Sequence, residues 1–242
     1  MTTYTEFANV AEELEWRGAL FDATPGALHA LATKKVLCYN GFDPTASSLH
    51  IGNLVPIMGL VRLQRHGHTP IALVGGGTGM IGDPSGRVEE RTLMSVAQVD
   101  ENVDAIRLQL EPFLDFDVKS NPARIVNNAS WLRATNLLEF LRDIGKHFTV
   151  NSMMGRESVK GRFDRDSGIS FTEFSYQLLQ AYDFLRLFEQ EKVGFQAGGS
   201  DQWGNILGGV ELIRKIHGAD SDGRPRAHGI VYPLVVSSTG EK

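Results

Sequence analysis

Two apolar runs, Val36-Leu37-Cys38-Tyr39 and Pro70-Ile71-Ala72-Leu73-Val74, flank a segment whose Leu54, Ile57, Leu60 and Val61 fall at helical spacing. Strand, helix and strand within about 40 residues make a βαβ unit, which commits the chain to an α/β fold built on a parallel sheet. Between the first strand and the helix lies a polar turn carrying Gly41, Pro44, Ser47 and Ser48. Ser47 or Ser48 is expected to cap the helix, and Pro56 requires a kink or a later helix start. His50 and Asn53, three apart, then share one face of the first turn. A helix N-terminus with its free N–H groups favours phosphate, and an imidazole and a carboxamide add further donors. Gly52 leaves room for a ligand to approach the backbone.

The remaining periodicities extend this pattern. Helices are expected over residues 5–17, 96–111, 136–144 and 173–191, and from Ser200 to Ile216. Strands are expected at 124–128, 193–197 and 230–236, the last as an edge or a bulge because of Pro233. Residues 148–168 follow neither period and read as an insertion on the sheet or a subunit contact. At 242 residues the chain suits one large domain or two small ones. Its net charge of -5 argues against nucleic-acid binding over a broad surface. A single cysteine, Cys38, excludes an internal disulfide framework. The acidic N-terminus lacks the pattern of a signal peptide, and no run reaches membrane-spanning length, so a cytoplasmic location is expected.

Three constellations can carry chemistry. Tyr176, Gln180 and Asp183 form a polar stripe at i, i+4 and i+7, either a solvated face or a pocket wall suited to an ammonium group and a ligand hydroxyl. Gly198-Gly199-Ser200-Asp201-Gln202 follows a strand and precedes a helix, where open parallel sheets bind ligands. Asp201 could accept from ribose hydroxyls and Gln202 could donate to a carbonyl; the alternative is a plain capping turn. Gly77-x-Gly79-x-x-Gly82 matches a dinucleotide fingerprint, but the acidic strand end it requires falls in a helical region. Asp83 in that turn is a carboxylate at the sheet end. No histidine or cysteine spacing suggests a metal site, and His66 and His68 are expected to be exposed at a helix end. Without a serine nucleophile elbow, direct transfer between two bound substrates is the expected chemistry.

These residues together resemble the class I aminoacyl-tRNA synthetases. His50-Ile51-Gly52-Asn53 is similar to their first signature. The bacterial-type tyrosyl-tRNA synthetases share Tyr39 to Thr45, Gly82 to Gly86, Phe171 to Tyr176, Gln180 to Phe184 and Gly198 to Asn205. The resemblance implies a Rossmann-like catalytic domain active as a homodimer, with residues near 148–171 in an inserted dimer-interface segment. It implies activation of L-tyrosine by MgATP to tyrosyl-adenylate and transfer to tRNA(Tyr), without a tightly held protein-bound metal. Tyr39 and Asp183 would then hold the phenol. Asp83, Tyr176 and Gln180 would hold the ammonium group, and Gln202 the tyrosine carbonyl. Gly41, Asp43, His50, Gly52, Asn53, Gly199 and Asp201 would bind the nucleotide, with His50 and Asn53 acting on the phosphates as catalytic groups. Asn53 stands where the signature has a second histidine. Lys242 would be the first lysine of the second signature; the rest of it and the tRNA-binding region would lie beyond this catalytic fragment. The alternatives are the tryptophan-activating sister enzyme, an RNA-binding protein that lost catalysis, and a nucleotidyltransferase of another pathway.

Overall fold

The computed structural model describes residues 7–85, 93–156, 159 and 168–236. Its strands are β1 (Asp22–Ala23), β2 (Leu37–Phe42), β3 (Thr69–Val74), β4 (Arg124–Asn127), β5 (Phe195–Gly199) and β6 (His228–Tyr232). They form one sheet in the order β1-β6-β5-β2-β3-β4, in which β1 alone runs antiparallel. The helices are α1 (Val10–Trp16), α2 (Ala27–Thr33), α3 (Leu54–Arg65), α4 (Val96–Leu110), α5 (Ala129–Leu132), α6 (Leu137–Asp143), α7 (Val150–Met154), α8 (Phe171–Glu191) and α9 (Trp203–His217).

Alternation along the strands sorts side chains onto two faces. Cys38, Phe42, Ala72 and Val74 join the apolar cluster that includes Val10, Leu14, Leu31, Leu60 and Ile106 of α1 to α4. Tyr39, Ile71 and Leu73, one position out of phase, join the cluster holding Phe184, Leu187 and Leu212 of α8 and α9. The sheet is therefore covered on both sides, as a parallel sheet requires. No helix among the described residues is long and apolar enough to cross a membrane.

Several expectations shift. α1 starts at Val10, capped by Asn9, and Phe7 instead packs at a tilt against Trp16 with ring centroids 5.4 Å apart. β2 continues to Phe42 and so carries Asn40 and Gly41 within the strand. β6 ends at Tyr232, before Pro233, and lies between β5 and β1 rather than at an edge. The missing N–H of Pro233 falls just past the ladder. β1, α2 and α5, each seven residues or shorter, carry too little periodicity to be read in advance.

His66 and His68 are not exposed. His68 is buried, and its Nδ1 accepts from the backbone N–H of Val36 at 3.3 Å. Burial holds its imidazolium pKa down to about 4. His66 Nε2 lies 2.8 Å from Glu13 Oε2, and Arg17 Nε donates to Glu13 Oε1 at 2.7 Å. Glu13 is a buried carboxylate that ties α1 to the C-terminal end of α3. Both histidines meet partners more than 30 residues distant, which local spacing does not reveal.

Candidate active site

β2 and β5 are neighbours at the middle of the sheet, in register at Cys38↔Phe195, Tyr39↔Gln196 and Asn40↔Ala197. The chain leaves β2 toward β3 and leaves β5 toward β6 on the other side. This reversal opens a crevice beyond the carboxyl ends of the two strands. A cleft of about 600 Å³ occupies it. Tyr39, Gly41, Asp43, His50, Gly52, Asn53, Asp83, Tyr176, Gln180, Asp183, Gly199, Asp201 and Gln202 all line this cleft, bringing together every expected site residue except Lys242. Lys242 lies outside the described residues.

One end of the cleft brings a buried hydroxyl and a buried carboxyl together. Tyr39 projects from β2 onto the α8 face, edge-on to Phe184 at 5.4 Å. Its hydroxyl is buried and has no hydrogen-bond partner among the described residues. Asp183 of α8 is buried beside it and accepts from Trp131 Nε1 at 2.7 Å and from Asn128 Nδ2 at 2.8 Å. Burial pushes the Asp183 carboxyl up to about 7, with those two hydrogen bonds opposing the shift and the Asp43 charge adding to it. Asn128 is itself fixed, since its Oδ1 accepts from Gly77 N–H at 2.7 Å and its Nδ2 also reaches Thr78 Oγ1 at 3.0 Å. Asn128, Trp131 and Thr78 were not readable as site residues. Asn128 looks like a strand end, and Trp131 sits in a four-residue helix without a pattern of its own.

The α8 stripe proves to be a pocket wall. The Tyr176 hydroxyl donates to Asp43 Oδ2 at 2.7 Å, while Thr78 Oγ1 donates to Asp43 Oδ1 at 2.8 Å. Burial, together with the Asp43 and Asp83 charges, holds the Tyr176 phenol protonated far above its ordinary range. With its proton committed to Asp43, the Tyr176 oxygen keeps lone pairs for a ligand donor. Gln180 Oε1 is a buried acceptor without a hydrogen-bond partner among the described residues. Asp83 accepts from Ser85 N–H at 2.9 Å and from Gln202 Nε2 at 2.6 Å. Among the described residues lining the cleft are four aspartates and no lysine or arginine. Such a surface selects a cation and requires an anionic ligand to bring its own counter-charge.

The helix tip departs from expectation. Neither Ser47 nor Ser48 caps it. The chain stays irregular to His50, turns through a 3₁₀ segment at Ile51–Asn53, and enters α3 at Leu54. Pro56 thus falls in the first turn of α3, where helix N–H groups lack internal acceptors. His50 Nδ1 accepts from Gly52 N–H at 3.1 Å, and His50 N–H donates to Asn53 Oδ1 at 3.0 Å. This reciprocal cap occupies the acceptor atom of each side chain. The neutral imidazole then carries its proton on Nε2, and the carboxamide is left with its NH₂, so two donors remain at a positive helix end.

At the opposite wall, Ser200 does not cap a helix. Ser200–Gln202 forms a 3₁₀ turn, and α9 begins at Trp203. Gly199 ends β5, where an added Cβ would lie 2.6 Å from Asp201 Oδ1 and 2.9 Å from Leu234 Cδ2. Glycine is the residue that lets Asp201 fold back over the strand end. Gln202 Oε1 accepts from Asn205 Nδ2 at 3.4 Å, which together with the Asp83 contact sets the amide orientation.

Known proteins are similar to this chain. Residues 31–242 match the family described as tRNA synthetases class I (W and Y). A tyrosine–tRNA ligase of Roseiflexus castenholzii is 54% identical over 96% of this chain and 54% of its own length. One from Opitutus terrae is 52% identical over 96% of this chain and 54% of its own. The chain spans about half the length of these curated relatives. Among solved structures, a C-terminally truncated mitochondrial tyrosyl-tRNA synthetase of Coccidioides posadasii is 32% identical with a TM-score of 0.83, covering 98% of this chain and 70% of that one. A tyrosyl-tRNA synthetase of Archaeoglobus fulgidus complexed with L-tyrosine covers 97% of this chain and 67% of that one. At 17% identity and a TM-score of 0.69 it shares the fold.

Proposed function

We propose that this chain, which belongs to the class I tRNA synthetases of the tryptophan and tyrosine group, activates L-tyrosine with MgATP and, in the full-length protein, passes the tyrosyl group to tRNA(Tyr). The observation that carries this reading is the pairing of the unpartnered Tyr39 hydroxyl with the buried Asp183 carboxylate in one cleft. A phenol would donate to Asp183 and accept from Tyr39. Phenylalanine would leave the Tyr39 hydroxyl without a ligand partner and Asp183 with only its Trp131 and Asn128 donors, and an indole offers no acceptor for the Tyr39 proton.

The remaining groups take complementary parts. Asp83, the Tyr176 oxygen and Gln180 Oε1 supply three acceptors for the three N–H bonds of an ammonium group. Gln202 would release or share its Asp83 contact to orient the tyrosine carboxylate, and Gly199 and Asp201 would receive the ribose. Gly41 and Asp43 border the nucleotide side. A tyrosine carboxylate oxygen then attacks the α-phosphorus in line, and pyrophosphate leaves. His50 Nε2–H and the Asn53 amide stabilise the charge that builds on the phosphate oxygens. The reaction is mostly positioning and charge stabilisation, with no covalent enzyme intermediate. Magnesium belongs to the substrate in this reading and offsets the acidic lining. Lys242 would start the second signature loop and supply a further cation.

Tyrosine-dependent exchange between ATP and pyrophosphate in the full-length protein tests the assignment. Exchange with tryptophan instead would move it to the sister enzyme, and tRNA binding without exchange would leave an RNA-binding protein.

The Asp183 carboxyl also sets a pH dependence. Its native pKa of about 7 lies above the ordinary value, so the stability it lends the free protein is present at low pH and is lost as pH rises through 7. A phenol donor favours the ionised form, so tyrosine binding runs the opposite way. Tyrosine affinity is expected to fall about ten-fold between pH 8 and pH 6, with phenylalanine affinity flat over that range. Calorimetry at both pH values measures this, and a flat tyrosine profile would contradict it.

The dimer is proposed on a different observation. α6 packs Phe140 edge-on against Tyr182 of α8 at 5.4 Å and turns Leu137 and Leu138 outward, 67% and 75% exposed. Val150 and Phe171 are exposed to 59% and 77%. These exposed apolar side chains begin before the segment expected from sequence, and we propose that they meet a second copy. Leu138→Asp should shift sedimentation equilibrium toward monomer at micromolar concentration, and an unchanged dimer would remove α6 from the interface.

A further inference from the structure

We propose that Arg156 is a positioning residue for the Ser200–Gln202 turn, seated for that purpose in a groove that Gly204 and Gly208 leave along α9. The inference rests on the reading of that turn as the nucleotide wall. Arg156 follows α7 and lays its side chain across the first two turns of α9. Its Nη1 donates to the Gly204 carbonyl at 2.6 Å. An ideal Cβ on Gly208 would stand 2.8 Å from both Nη1 and Nη2, and one on Gly204 would stand 3.8 Å from Cδ. Any side chain at Gly208 displaces the guanidinium.

The placement is unfavourable on every other count. Burial opposes the charge and lowers the pKa of Arg156, with Glu211 giving partial compensation. Gly204 is the second residue of α9, so the cation sits near the positive end of the helix dipole. Gly204 and Gly208, with Gly209 beside them, also weaken the helix, because glycine is the poorest helix former after proline. An apolar residue would fill the groove without any of these costs. What the guanidinium adds is a charge-assisted hydrogen bond that pins the α9 first turn from behind. Gln202 and Asp201 lie two and three residues upstream of that carbonyl. Asn205, immediately downstream, donates to Gln202 Oε1. The phenol contacts at Tyr39 and Asp183 and the ammonium contacts at Tyr176 and Gln180 come from β2 and α8 and stand apart from this anchor; the Gln202–Asp83 contact is its link to the tyrosine site, so tyrosine affinity changes less than ATP affinity.

The test uses the full-length protein and three variants, Gly208→Ala, Arg156→Ala and Arg156→Lys. Gly208→Ala is expected to raise KM for ATP, and the adenosine dissociation constant, about ten-fold, while tyrosine affinity stays within about two-fold. Its melting temperature should hold or rise, because alanine is the better helix former. Arg156→Ala should give the same kinetic split, and Arg156→Lys, which keeps a donor for Gly204, should recover most of the loss. Unchanged ATP and adenosine parameters in Gly208→Ala and Arg156→Ala would overturn the proposal. So would parallel losses of tyrosine affinity, ATP affinity and melting temperature, which mark a merely structural role. Adenosine binding needs neither tyrosine nor catalysis. Absence of tyrosine-dependent exchange in the unsubstituted protein therefore strikes the tyrosine reading alone and leaves the Arg156 comparison intact.

Discussion

Asp183→Asn is expected to lower the ratio of kcat/KM for tyrosine over phenylalanine by about 10²-fold, the loss of one hydrogen bond to a charged group. The variant is nearly isosteric, so the ring pocket formed with Phe184 and Tyr39 keeps its shape. The chemistry at its end changes. Trp131 Nε1 and Asn128 Nδ2 both donate to Asp183. A carboxamide can accept both only on its one oxygen; otherwise its NH₂ faces a donor. Either the phenol loses its acceptor or one of the buried donors does. The variant should therefore also lose about 1–3 kcal/mol of stability, read as a shift in the denaturation midpoint. A tyrosyl-tRNA synthetase site that hydrogen-bonds the substrate hydroxyl rejects phenylalanine by about 10⁵; in the proposed reading the Tyr39 and Asp183 pair would set the direction of that preference here. An unaltered tyrosine-to-phenylalanine ratio in Asp183→Asn would remove Asp183 from the phenol site, whatever the stability change.

Asn53→Asp separates the two jobs of the helix tip. The carboxylate oxygen accepts the His50 N–H as well as the amide oxygen does, so the reciprocal cap and the start of α3 should persist with stability within about 0.5 kcal/mol. The NH₂ donor is replaced by negative charge, which in the proposed reading would face the phosphates. Adenylate formation should slow by about 10²–10³-fold, the scale for losing a donor aimed at developing charge. Tyrosine affinity, set at the other end of the cleft, should stay within about two-fold. Asn53→Ala provides the converse, losing the cap and about 1 kcal/mol of stability along with the donor. Pre-steady-state formation of adenylate in the two variants checks this. An adenylate rate near that of the unsubstituted protein in Asn53→Asp, with a defect in Asn53→Ala alone, would mean that Asn53 acts only as a cap.

Both predictions draw on residues visible in the sequence and on partners that were not. The helix-tip residues His50 and Asn53 lie three apart, and local geometry governs how they meet. Their reciprocal cap could not be read, because it depends on α3 starting at Leu54 rather than after Ser48. The α8 stripe was legible as a stripe, since i, i+4 and i+7 share a helix face. Whether that face met solvent or a cleft depended on what packed against it. The answer came from Asp43, 133 residues from Tyr176 in the chain.

Local patterning was enough to dictate the parallel sheet, its flanking helices, and the residue types that meet at the strand ends. Apolar period, turn residues and long ordered motifs are all short-range properties, and backbone geometry converts them directly into strands, helices and their faces. Other features arise only when the chain is assembled: Asn128 and Trp131 cradle Asp183, Gln202 reaches Asp83 across 119 residues, and His68 is buried. These depend on strand order around the β2–β5 junction, which brings distant segments within hydrogen-bond range. A buried polar group must find its partner wherever the fold places one, and spacing along the chain carries no record of that choice.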